Sequence, residues 1–372
     1  MNTIVLISLL HFLTFLPILT QSSPTKHHII GFRSPALYPE GLAYDPLAEH
    51  FLVGGLHQPA LLSVSDAGVV EIIIHDVGLP VNSSFLGIAV DKPRRRILVV
   101  VQSIPPRPPY SALAAYDLKS RRRMFLVQLP YQPGFPAIAN AVAVDHAGNA
   151  FVTNSKGNYI WRVSKDGDEA FVWSSSPLFS RYPADDSAAY RFCGLNGIAY
   201  VNLGYLLVVQ SNTGKLFKVD GDDGSAREVL LNKNLGGADG VALRNDGVLL
   251  VVSTKKVWFI RSTDSWAEGT VYDETPLDEK RFATSVAIGG DRRAYVVYGR
   301  TDEGMSLVGD GGGAGGGSAV REWFEIEEVR SSMEGEDEKL WIYIVVGLGL
   351  AYFMFWRFQM NRLVKNLDKK ID

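Results

Sequence analysis

Apolar and polar positions alternate with a period of two over most of this chain, in short runs broken by Gly, Asn, Asp, Ser and Lys. That period marks half-buried strands separated by tight turns, and it predicts an all-β body. GNAFVTNSKGNYIWRVSKDG (148–167) and GYLLVVQSNTGKLFKVDGDDG (204–224) are recognisably one unit written twice. Six times a small-residue step leads into an apolar strand in the same register: PEGLAYD (39–45), FLGIAVD (85–91), ANAVAVD (139–145), LNGIAYV (195–201), ADGVALR (238–244) and ATSVAIG (283–289). The second positions are Glu40, Leu86, Asn140, Asn196, Asp239 and Thr284, at intervals of 46, 54, 56, 43 and 45 residues. Those intervals fit a four-stranded blade, and six of them predict a six-bladed β-propeller. HHIIGF (27–32) is extended and apolar, and is expected to close the ring by pairing with the last blade near REWFEIEEV (321–329). No helix is evident outside one C-terminal span, and GDGGGAGGGS (309–318) reads as a flexible insert between strands of blade six.

The two ends differ from the body. Residues 1–23 read as a signal peptide, apolar from Ile4 to Leu19 and then polar at Gln21, Ser22 and Ser23; an uncleaved anchor is the alternative. Residues 24–330 are then a lumenal propeller, 331–339 an acidic tether, and 340–356 a transmembrane helix. The span LWIYIVVGLGLAYFMFW follows acidic residues and precedes Arg357, Arg362 and Lys365, which assigns the tail, 357–372, to the cytosol. Its short apolar length suits a thin, early-secretory membrane. Lys369 and Lys370 stand fourth and third from the carboxyl terminus, and look like the dilysine retrieval signal that coatomer reads on type I proteins. The expected location is the endoplasmic reticulum membrane, crossed once.

Composition removes one class of partner. With 37 basic and 40 acidic residues, a net charge of -3 and no basic stripe, nucleic acid is excluded as an expected ligand. Cys193 is the single cysteine, so no intrachain disulfide can form. Asn82-Ser83-Ser84 is the sole glycosylation sequon, making Asn82 the expected glycan site in a lumenal body.

In a propeller the starts of the innermost strands ring the channel mouth, so Glu40, Asn140, Asn196 and Asp239 are expected to face one another. Singly, Asn196-Gly197 and Asp239-Gly240 are ordinary turn dipeptides; their shared register is what suggests a site. Two carboxylates alone in a channel repel, whereas a dication between them satisfies both and the amide oxygens too. Four hard oxygen donors without His or Cys select Ca²⁺ first, then Mg²⁺ or Mn²⁺, and argue against Zn²⁺.

On PEG at Glu40, LNG at Asn196 and ADG at Asp239, with AIAN at Asn140 a looser match, the chain resembles a known family over roughly residues 27–330. That family is the senescence-marker protein (regucalcin)/gluconolactonase family of the calcium-dependent phosphotriesterase superfamily. The resemblance implies a six-bladed propeller whose Glu-Asn-Asn-Asp set holds Ca²⁺ and hydrolyses a lactone, ester or phosphotriester. It also implies a role for Asp239 as general base or nucleophile. Relatives usually carry Asp where this chain has Ala141; together with Gly41 this argues against the second, structural calcium of paraoxonase-like members. The paraoxonase histidine dyad has no counterpart, since Leu86 holds the blade-two position, and His57 and His75 are assigned to surface or loops. A non-catalytic, calcium-pinned propeller that binds a protein or glycan in the secretory lumen is the alternative. A strictosidine-synthase-like condensing enzyme, which works without a metal, is a third reading.

The remaining features take plainer assignments. Asn154 and Gln210 are expected to make turn hydrogen bonds rather than line the channel. Cys193 is assigned to apolar packing over a metal-adjacent thiol. Arg94–Arg96 and Arg121–Arg123 are assigned to solvated faces, and QSIPPRPPYS (102–111) to a stiff loop over one propeller face.

Overall fold

Each sequence unit folds into one antiparallel sheet, and the six sheets together make a six-bladed β-propeller in the computed structural model. The structure describes residues 27–371 except 82, 105–107, 132–136, 183–189, 291–292 and 310–319. Asn82 and the whole leader, 1–26, lie outside the described residues.

The innermost strands coincide with the repeated motif: Pro39–Asp45, Ser84–Asp91, Ala139–Val144, Leu195–Val201, Val241–Leu243 and Ala283–Ile288. Blade five carries an extra two-residue strand, Leu230–Leu231, parallel to its outermost strand. Blade six is closed as the sequence predicts, by Ile29–Arg33 pairing with Trp323–Val329 from Ile29↔Glu327 to Arg33↔Trp323. Alternation in the closing strand buries Ile30 and Phe32 in the core while their neighbours face solvent.

The small residue of each motif has a packing cause. The pairing register slips at this point in blades one, two, three, four and six, which bulges the inner strand. The bulged backbones then touch around the ring. A Cβ on Gly41 would strike the Leu86 carbonyl, one on Gly87 the Asn140 carbonyl, and one on Gly197 the Asp239 carbonyl, all closer than real Cβ atoms approach. The amide of Gly240 donates to the Thr284 carbonyl at 3.1 Å. Close backbone approach, blade to blade, is why glycine recurs beside the ring residues.

Strand direction sorts the molecule into two faces. Ring residues lie where inner strands begin, and the turns that follow those strands lie on the opposite face. Trp323–Val329, the third strand of blade six, runs the same way as the inner strand, so its end reaches that opposite face. There Ser331 Oγ donates to Asp273 at 2.6 Å. Arg244, just past the inner strand of blade five, donates twice to the Glu334 carboxylate, at 2.9 and 2.6 Å, and Tyr272 adds a third bond at 2.6 Å. The start of the predicted tether is therefore docked on blade five. The C-terminal helix begins at Glu334, not 340, and runs to Ile371, through Lys369 and Lys370. Within it Tyr343–Lys365, mean hydropathy 1.2, is long and apolar enough to cross a membrane and packs against nothing.

Two sequence expectations are corrected. A second helix, Thr301–Gly309, precedes the Gly-rich insert, of which residues 310–318 lie outside the described residues. With two glycines in nine residues it carries no readable apolar period; contact holds it, with Gly304 against the Tyr38 ring and Glu303 paired with Arg300 and Arg321. Nor are the arginine triplets simply solvated. Arg96 is 2% exposed, bonds Asp91 at 2.9 Å, and donates to the carbonyls of Gly148 and Lys165, which stitches blade two to blade three. Arg121 and Arg123 pair with Glu71 and Asp76 of blade one.

Candidate functional site

The motif register carries Glu40, Asn140, Asn196 and Asp239 to the start of their blades' inner strands or just before them, with Leu86 and Thr284 completing the ring as buried residues. Asn196 is buried, while Glu40, Asn140 and Asp239 keep part of their surface accessible.

The electrostatics mark the two acids as neighbours. Burial pushes the Glu40 carboxyl up to about 7. Asp239 is raised well above the usual carboxylate range, first by burial and then by the charge of Glu40, while a hydrogen bond from Asn196 pulls partly the other way. No basic group figures among these causes, and among the described residues neither acid is in an ion pair.

The two amides are engaged through nitrogen. Asn140 Nδ2 donates to Ser155 Oγ at 3.1 Å, and Asn196 Nδ2 donates to Ser211 Oγ at 3.1 Å and to Cys193 Sγ at 3.5 Å. Among the described residues no donor reaches either Oδ1. Two carboxylates lacking a counter-ion and two unused amide oxygens fit a hard dication by donor type. Among the described residues no three His, Cys, Asp or Glu gather as metal ligands; the four ring residues themselves include no His or Cys, the donors softer metals prefer.

Cys193 is not a packing residue, as its apolar surroundings in sequence suggested. Its Sγ accepts a 3.5 Å bond from Asn196 Nδ2 and feels the charge of Asp239 and, less, of Glu40; burial, ahead of those charges, pushes its pKa up to about 11. Ser155, Ser211 and Cys193 are the site residues that sequence reasoning missed. Their signal was present: Ser155 and Ser211 end the second strands of blades three and four at one register, in VTNS and VVQS.

Other expectations are met. Asn154 Oδ1 accepts from the amides of Ile138, Lys156 and Gly157, and Gln210 bonds Asn158 and the Phe179 carbonyl, so both serve turns and loops. His57 bonds the Gly304 carbonyl at 2.9 Å on the rim, and His75 is exposed.

No protein-family model and no curated protein sequence matches the chain. Among solved structures it is similar to the major allergen Mala s 1 of Malassezia sympodialis, with TM-score 0.67 and 17% identity over 84% of this chain and 97% of that one. It is similar to a gluconolactonase from Xanthomonas campestris, with TM-score 0.55 and 14% identity over 82% and 90% of the two chains. A luciferin-regenerating enzyme gives TM-score 0.53 and 14% identity over 81% and 95%. Such low identity establishes architecture alone, and the chain has a gluconolactonase-like, six-bladed propeller fold.

Proposed function

We propose that this chain is a metal-dependent hydrolase of lactones, esters or phosphotriesters, with one Ca²⁺ held by Glu40, Asn140, Asn196 and Asp239; Mg²⁺ and Mn²⁺ are the other candidates. The observation that carries this is a pair of partly accessible carboxylates that feel each other's charge and have no basic partner among the described residues, beside two amides whose nitrogens are committed to serine hydroxyls. That a gluconolactonase shares the scaffold supports lactone hydrolysis as chemistry the architecture can host.

When bound, the ion supplies Lewis acidity to the carbonyl or phosphoryl oxygen of the substrate. Asp239 is the group assigned to proton transfer, taking a proton from water on its carboxylate. Glu40 supplies the second negative charge. The Cys193 thiol, held protonated by burial, does not compete as a nucleophile at neutral pH.

For location, we infer a single-pass endoplasmic reticulum membrane protein. The signal peptide, the glycan at Asn82, a lumenal propeller and a coatomer-read tail at Lys369 and Lys370 belong to the same inference. The apolar helix supports one crossing.

The test is the thermal midpoint of the full chain in detergent, with EDTA and with millimolar Ca²⁺, for wild type and Asp239→Ala. Binding at a hundredfold excess over Kd should add about 2.7 kcal/mol to wild type and nothing to the variant. A panel of lactones, esters and phosphotriesters should then be turned over by wild type alone. Calcium-dependent stability without turnover would leave the non-catalytic propeller, and no calcium effect would sink both.

A further inference from the structure

Every ring residue with an oxygen side chain assigned to the metal is preceded by a buried residue that the previous blade holds in place. Thr284 Oγ1 donates to the carbonyl of Pro39, before Glu40, at 3.2 Å. Gln102 Oε1 accepts from the amide of Ala139, before Asn140, at 2.9 Å. Ser155 Oγ donates to the carbonyl of Leu195, before Asn196, at 2.7 Å, and Ser211 Oγ donates to that of Ala238, before Asp239, at 2.6 Å. A side chain of blade six, two, three or four thus fixes the backbone on which the next blade's ligand is mounted.

Two of these four holders do a second thing. With its hydrogen given to a carbonyl, the Ser155 hydroxyl can only accept from Asn140, and the Ser211 hydroxyl can only accept from Asn196. An amide group has a donor end and an acceptor end of nearly equal size, and nothing in its shape decides which end faces the channel. A hydroxyl committed as acceptor decides it, because only the NH₂ end can satisfy it. The 3.1 Å bonds from both amides have that polarity, and both serines are nearly inaccessible, at 3% and 2% exposure. Water therefore has little room to substitute for either hydroxyl. Cys193 Sγ accepts a second bond from Asn196 Nδ2, at 3.5 Å, of the same polarity.

We propose that Ser155 and Ser211 are positioning residues of the channel site, each locking an asparagine so that it offers oxygen, not nitrogen, to a cation. This rests on the metal assignment made above. Ser253 supplies a control: it follows the second strand of blade five one register position earlier, where blades three and four carry Asn154 and Gln210, and is as buried, but its hydroxyl bonds only within its own turn, to the Lys256 carbonyl at 3.1 Å. The inner strand beside it carries Asp239, whose two oxygens are equivalent and need no such lock.

The experiment is calorimetric titration of Ca²⁺ into the EDTA-stripped, dialysed full chain in detergent, for wild type, Ser155→Ala, Ser211→Ala and Ser253→Ala. Each midpoint is measured without metal as well. Loss of an outer partner of a ligand costs about 10–100-fold in metal affinity. That loss is expected for the first two variants, with Ser253→Ala within about twofold of wild type, while the metal-free midpoints fall in all three, because each loses buried hydrogen bonds. Equal affinity in all four proteins, or equal loss in all three variants, overturns the assignment of the serines while leaving the calcium site standing. Absence of binding by wild type removes the site itself and the serine roles with it. Each serine is read separately, so a variant that fails to fold leaves the other to decide.

Discussion

The amide of Gly197 donates a 3.0 Å hydrogen bond to the carbonyl oxygen of Asp239, so two inner strands meet backbone to backbone where a ring carboxylate begins. A methyl group at Gly197 would overlap that same oxygen. Gly197→Ala should therefore destabilise the propeller by about 1–3 kcal/mol and weaken Ca²⁺ binding together, through displacement of Asp239. Gly31→Ala, where a Cβ meets nothing within 4 Å, should stay within about 0.5 kcal/mol of wild type. Urea midpoints of the two variants check this; equal effects would refute close approach as the reason for the motif glycines.

Ring closure rests on a strand from the other end of the chain. Phe32 is fully buried there, with its ring 6.1 Å from that of Phe324. Phe32→Ala should cost about 3–5 kcal/mol. Ile29→Ala, on the exposed side of the same strand, should cost under about 0.5 kcal/mol. Chemical denaturation of both variants tests whether the strand works through burial or through pairing alone.

Without metal, the acid pair sets a pH dependence of definite sign. Burial pushes the Glu40 carboxyl up to about 7 in the folded chain, against 4.5 for an ordinary glutamate, and Asp239 is also raised, so the folded state binds more protons than the unfolded one between those values. Stability from this source is fully present below pH 4.5 and is lost as pH rises through about 7. The EDTA-treated midpoint should fall between pH 5 and 8, Glu40→Gln should flatten the fall, and Ca²⁺ should abolish it. A midpoint that climbs over that range in the stripped wild type would contradict the pairing of Glu40 with Asp239.

The root of the C-terminal helix is held by Arg244, Tyr272 and Asp273. Glu334→Ala should free this root, seen as faster proteolysis near 331–342, while the calcium-bound midpoint of the propeller moves by less than about 1 kcal/mol. A large drop in that midpoint would instead make the docked segment part of the propeller's own stability.

The propeller was legible because its evidence is local and repeated: period-two runs, turn residues, and six motifs in one register. Glu40, Asn140, Asn196 and Asp239 followed from that register alone. What sequence left hidden depends on contacts between blades. RRR at 94–96 reads identically whether solvated or buried, and only the arrival of the Gly148 and Lys165 carbonyls makes Arg96 an internal strut. Ser155 follows Asn140 by fifteen residues, and only the pairing of two strands brings its hydroxyl to that amide and to the Leu195 carbonyl of the next blade. Thr301–Gly309 is helical because Tyr38 and Arg321 receive it, not because its own residues favour a helix.

The closing strand starts, and the C-terminal helix departs, on the side of the disc away from the ring residues. Were that helix to cross a bilayer, as proposed, the ring residues would face water and not lipid, and a compound dissolved among acyl chains would have to leave them before meeting Asp239.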